Sequence, residues 1–112
     1  MRIAVPLTEG VVSMHFGHCE KFALIDVDEA AGNVISAREL DPPAHEPGLL
    51  PRWLAGEEVN LVITGGIGQR AVMLFEAQGI KVIPGAPALS AGHVVADYLK
   101  GNLQSGSNTC DH

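Results

Sequence analysis

The chain has 112 residues, 46% of them apolar, and a formal charge of −6 from 7 Lys and Arg against 13 Asp and Glu. That length suits one domain with a core that needs no disulfide staple. No window approaches 18 consecutive apolar residues, which excludes a membrane-spanning helix, and no basic run offers a surface to a nucleic-acid backbone.

The opening MRIAVPLTEG carries one basic residue and an apolar run that stops at Pro6. It is too short for a signal peptide and reads as a first strand, so a cytoplasmic protein is expected. Within RIAVPL (2–7) Pro6 cannot donate to a ladder and should mark the strand's end or a bulge. KFALIDVD (21–28) is almost continuously apolar, as a strand covered on both faces would be. The turn 29–33 and the alternating NVISAREL (33–40) complete a hairpin. DPPAHEPG (41–48) holds three prolines and a glycine and reads as a loop.

From there the pattern changes. LLPRWLAGEE (49–58) is a short helix with Pro51 in its first turn, VNLVITG (59–65) a buried strand, and IGQRAVMLFEAQG (67–79) a helix closed by Gly79. IKVIPG (80–85) is a further buried strand and ALSAGHVVADYLKG (88–101) a last helix. The remainder, NLQSGSNTCDH (102–112), is a polar tail without periodicity, so the expected division is one α/β domain over 1–101 followed by that tail.

The order β-β-β-α-β-α-β-α predicts a mixed five-stranded sheet flanked by three helices, built from a meander followed by right-handed βαβ units. With the first strand running upward, segments 8–20, 41–48, 64–68 and 84–88 all fall at its upper end. Open α/β sheets bind ligands there, outside the carboxyl ends of their strands.

SMHFGHCEKF (13–22) therefore stands out. His15, His18 and Cys19 lie on one upper loop and His45 on another, and imidazole with thiolate suits zinc, copper(I) or iron–sulfur clusters. There is no paired CxxC, so an open site accepting a preformed cluster fits better than a closed structural zinc. The bland readings stand beside this one. Phe16 and Phe22 anchor the loop in the core, Gly17 supplies a backbone angle, Met14 packs, and His93 pairs with Asp97 four residues on. The two cysteines, Cys19 and Cys110, are read as metal-binding, redox-active or simply unrelated thiols, since a reducing compartment disfavours their disulfide. Cys110 and His112, two apart in the tail, are further candidate ligands if the tail returns to the upper end.

TGGIG (64–68) is the second feature. Glycines between a buried strand and a helix can turn backbone N–H groups toward an anion at the helix N-terminus, and metal–sulfide clusters are usually anionic. A plain tight turn is the alternative. Ser13, Met14, Gly65, Gly66, Gly68 and Arg70 make up the candidate cofactor-binding set; His15, His18, Cys19, His45, Cys110 and His112 make up the candidate metal ligands. Nuclease chemistry would need converging carboxylates, and the first strand has none, while Asp26 and Asp28 fall toward the lower end of their strand. A nucleotide- or phosphate-binding module using GGIG is the competing reading.

At SMHFGHCEKF the chain resembles the dinitrogenase iron–molybdenum cofactor-binding family, the group that includes NifX, NafY and the C-terminal domain of NifB. The resemblance continues through HEPGLLPRWL (45–54), VNLVITGGIGQRAVMLFEAQGIKVI (59–83) and the KGNL ending (100–103). It implies a ribonuclease-H-like fold and a non-enzymatic protein that carries or inserts an iron–sulfur, iron–molybdenum or molybdenum–copper cluster, with cluster-assembly proteins or an acceptor metalloprotein as partners. His15 matches the histidine of the family's HFG motif. Cys19 stands where relatives often have a small residue, so its candidacy rests on thiolate chemistry alone, and the Cys-x-His tail resembles a subset of relatives.

Overall fold

The computed structural model describes residues 1–43, 46 and 48–103. Its elements are β1 (Arg2–Thr8), β2 (Val11–Val12), β3 (Lys21–Asp28), β4 (Asn33–Leu40), α1 (Leu49–Gly56), β5 (Leu61–Ile63), α2 (Gln69–Ala77), β6 (Lys81–Ile83) and α3 (Ala91–Leu99). A single 3-10 turn, Phe16–His18, stands between β2 and β3. The sheet runs β4-β3-β1-β5-β6, with β2 hanging from β1. β3 is antiparallel to β1 and β4 to β3, whereas β5 and β6 run parallel to β1.

This is the mixed α/β architecture expected, with six strands in place of five. The added strand is β2, which returns against the end of β1 through Leu7↔Val12 and Thr8↔Val11. The two residues between them, Glu9 and Gly10, both have positive φ, 55° and 81°. That is the backbone of a tight two-residue hairpin whose twist matches the flanking strands. A two-residue strand is too short for period-2 alternation to reveal it.

Pro6 also departs from expectation, lying inside β1 opposite Phe22 without breaking it. Arg2 bonds through both its N–H and its C=O to Asn60 beside β5, so alternate residues of β1, Pro6 among them, face that side. The β1–β5 ladder ends at Ala4↔Val62, so no ladder donor is required at Pro6. Its carbonyl accepts from the Ser13 amide at 2.8 Å.

The central strands bury both faces. Ile3, Val5, Ile25, Val27, Leu61 and Ile63 pack toward Val94 and Val95 of α3. On the other face Ala4, Phe22, Leu24 and Val62 pack with Leu50 and Leu54 of α1 and Phe75 of α2. β4, at the sheet's edge, is exposed over nearly its whole length. At the lower end the Arg2 guanidinium clasps Asp26 at 2.7 Å and donates to the Glu57 carbonyl at 2.6 Å. Asp26 is therefore a structural ion-pair partner there.

Candidate functional site

The loop after β2 is laid parallel to the residues that follow β5, joined to them by an isolated bridge between His15 and Gly66. Gly65 N–H donates to Ser13 O at 3.1 Å, Gly66 N–H to Met14 O at 2.8 Å, and Phe16 N–H to Gly66 O at 2.9 Å. Only glycine permits this approach at position 65, because a Cβ there would sit 2.6 Å from Ser13 O and 2.8 Å from Met14 Cα. Ser13 is buried, and its hydroxyl donates to the carbonyl of His15 at 2.9 Å while accepting the His15 amide at 3.3 Å. Phe16 then plunges into the core edge-on to Phe22 and Phe75, with ring centroids 5.7 and 5.2 Å away. The chain tightens into the 3-10 turn through His18 N–H to His15 O at 3.0 Å. With Phe16 pinned inward, His15 and His18 stay exposed on the outside, their ring centroids 6.3 Å apart.

Beside them opens a cleft of about 460 Å³. Its walls include His15 and His18 from the loop, Leu50 and Pro51 from α1, and Arg70 and Leu74 from α2. α2 begins in this wall, with Gly68 as its N-cap residue and no side-chain cap. The first-turn N–H groups of a helix lack intrahelical partners and carry the positive end of its dipole, about half a charge. Together with the Arg70 guanidinium they favour an anion. Glu46, exposed on the same wall, opposes it. The cleft thus offers imidazole ligands, an apolar bed and a positive helix end, with one carboxylate working against them.

The structure brings His15, His18, Gly68 and Arg70 to this cleft and places the other described candidates elsewhere. Gly65 and Gly66 were expected to present N–H groups to an anion; both amides instead bind the Ser13 and Met14 carbonyls, so their part is to dock the loop. Cys19 lines neither this cleft nor the neighbouring one. It is half-buried against the core on the α1 and α2 side, and that burial pushes its thiol up to about 11, which disfavours the thiolate a metal needs. Met14 lines a second cleft, which shares His15 and His18 with the first. His45, Cys110 and His112 fall outside the described residues. His93 pairs with Asp97 at 3.3 Å, as its spacing suggested.

Among the described residues no group of three or more His, Cys, Asp or Glu is arranged to hold a metal ion. The donor set therefore does not fit a closed structural ion site. It does fit an object larger than one ion that uses histidines on one side and electrostatic contacts on the other. Sequence reasoning missed the apolar bed and Glu46. Arg70 and Leu74, four apart on α2, carry the signal that could have found part of it, since that spacing puts both on one helix face.

The family model described as "Dinitrogenase iron-molybdenum cofactor" matches residues 1–101. An uncharacterised protein of Methanocaldococcus jannaschii, MJ0580, is 30% identical over 109 residues, covering 93% of this chain and 90% of that protein. The crystal structure of PH0822 superposes with a TM-score of 0.86 at 30% identity, covering 94% of each chain. The apo form of the orange protein from Desulfovibrio gigas superposes with a TM-score of 0.72 at 27% identity, covering 96% of this chain and 93% of that one.

Proposed function

This chain belongs to the dinitrogenase iron–molybdenum cofactor family, and from that membership and the cleft we propose that it binds an anionic metal–sulfur cluster as cargo, carrying or scaffolding it without transforming it. The observation that carries this reading is the shared cleft: the exposed imidazoles of His15 and His18 line the same cavity as Arg70 and the uncapped start of α2. His15 and His18 are the proposed ligands to the cluster metal. Arg70 and the first-turn amides of α2 offset its negative charge, on a protein whose net charge of −6 would otherwise repel it. An open site on a loop suits cargo that must leave again for an acceptor metalloprotein. No helix of the described residues is long and apolar enough to cross a membrane.

The test is anaerobic loading of the apoprotein with iron and sulfide and, separately, with tetrathiomolybdate and copper, followed by desalting and measurement of charge-transfer absorption and metal content. Retained bands that weaken in His15→Ala, His18→Ala and Arg70→Ala support the reading. Retention unchanged in all three sinks it. If no metal is retained but inorganic phosphate binds, and binding disappears in Arg70→Ala alone, the cleft belongs to a phosphate ligand held at α2.

A further inference from the structure

The first cleft continues away from the histidines. Gly48, Pro51 and Leu74 line both it and a further hollow of about 270 Å³, whose remaining walls are Arg52 of α1 and Ala77 and Gln78 at the end of α2. The two together form a trough between α1 and α2. Its α2 wall runs from Gly68 to Gln78, which is about 15 Å at the rise of an α-helix. Arg70, Leu74 and Ala77 recur at helical spacing, so one face of α2 makes that wall. Met73 stands beside that face, three residues from Arg70 and four from Ala77, and is 59% exposed. A large apolar side chain is thus left in solvent at the lip of the trough.

The charges of the trough run against those of the chain. With 13 Asp and Glu against 7 Lys and Arg, a cation on this protein has carboxylates to spare. Arg2, Lys21 and Arg38 use them, pairing with Asp26, Asp41 and Glu57. Arg52 and Arg70 have no ion-pair partner among the described residues, and both line the trough. A guanidinium offers a planar fork that matches a carboxylate with two N–H bonds. In open water such a pair is worth little. Beside Pro51, Leu74 and Ala77 a docked chain would shed that water, and the pair strengthens as the local dielectric falls. Arginine set among apolar side chains is also the composition of an interface centre. We propose that the trough docks a partner protein, through a short segment of that partner in which apolar side chains lie between carboxylates. The proposal rests on the trough and not on the cluster reading; with that reading, the docked partner lies along the open cleft from which cargo would leave. Arg52 lines the further hollow and not the first cleft, so it separates docking from loading.

The full-length apoprotein is titrated with a fluorescein-labelled peptide of about ten residues, long enough as a helix to span the trough, with glutamates toward both ends and leucines between. Anisotropy gives its affinity and amide NMR spectra give its footprint. Binding is expected with shifts at Arg52, Leu74, Ala77 and Gln78, and should weaken by about tenfold when glutamines replace the glutamates. Arg52→Glu should weaken the acidic peptide by about tenfold or more and favour a lysine counterpart instead, while anaerobic cluster loading stays at the parental level. His15→Ala should do the reverse, losing cluster loading and keeping the peptide. A footprint on the exposed β4 strand, equal binding of the glutamine peptide, or an affinity indifferent to Arg52→Glu overturns the proposal. So does self-association of the apoprotein in sedimentation that Arg52→Glu abolishes, which would make the occupant a second copy of this chain.

Discussion

The carbonyl oxygen of Ser13 lies 2.6 Å from the point where a Cβ on Gly65 would be, with Met14 Cα at 2.8 Å from the same point. Both neighbours are backbone, so neither can swing aside. Gly65→Ala is expected to push the histidine loop off the end of β5 at a cost of about 1–3 kcal/mol, the usual range for overpacking. Gly56, at the end of α1, has open space around its Cβ position and no positive φ. There an alanine should be neutral or stabilise by up to about 1 kcal/mol. Urea midpoints of the two variants check this, and equal behaviour would refute the docking role given to Gly65.

The contrast between Gly65 and Gly68 also shows how far the sequence could be read. TGGIG announces a tight junction between a buried strand and a helix, and the junction is there. Its glycines divide the labour, though: the first two meet a loop some 50 positions earlier in the chain, and only Gly68 opens onto the cleft. Such a partner is invisible to local pattern. The hairpin of β3 and β4 was legible to the residue, because period-2 alternation and a run of buried residues each have their own signature. Cys19 shows the opposite case. Its sequence neighbours His18 and Glu20 are exposed, but Phe22 and Leu40 draw the stretch against the core, and burial is a property of the assembled fold.

Glu46 and Arg70 line the first cleft with opposite charges. If the cargo is anionic, Glu46→Gln should raise cluster retention several-fold and Arg70→Ala should lower it by a similar factor. Both effects should shrink as salt rises, because exposed charges are screened over about 8 Å at physiological ionic strength. Metal content after desalting at low and at high salt is the measurement. Retention that ignores both charges and the salt would mean that the imidazoles alone hold the cargo.

At the opposite end of the sheet, Arg2 holds the Asp26 carboxyl below its ordinary range, chiefly through their hydrogen bond, with Ser36 donating to the same carboxylate at 3.1 Å. Unfolded, an aspartate titrates near about 3.9. The depressed folded value means that Asp26 stabilises the fold above that pH, and that its contribution is lost as pH falls through the folded value. Asp26→Asn should therefore lower the urea midpoint at pH 7, and the gap from the parent chain should narrow toward pH 2.5. A gap that stays constant across that range would show that the substitution acts through shape rather than charge.

Cys19 gives the converse pH dependence. Its thiol is pushed up to about 11 by burial, whereas an unfolded cysteine titrates near about 8.5. The folded state holds this proton more tightly, so the buried thiol stabilises the fold fully below the unfolded value, and that contribution is lost as pH rises toward 11. In a Cys110→Ser background, iodoacetamide at pH 8 should modify Cys19 on the order of a hundredfold more slowly in the native protein than in urea, since the thiolate is the reactive form. Loading the cluster should leave that rate unchanged, because Cys19 lines neither cleft. Fast native alkylation that cluster loading suppresses would return Cys19 to the ligand set. The loop would then have to open at Phe16 to admit it, and Phe16→Ala, which removes the anchor against Phe22 and Phe75, should in that case speed loading even as it costs about 3–5 kcal/mol of stability.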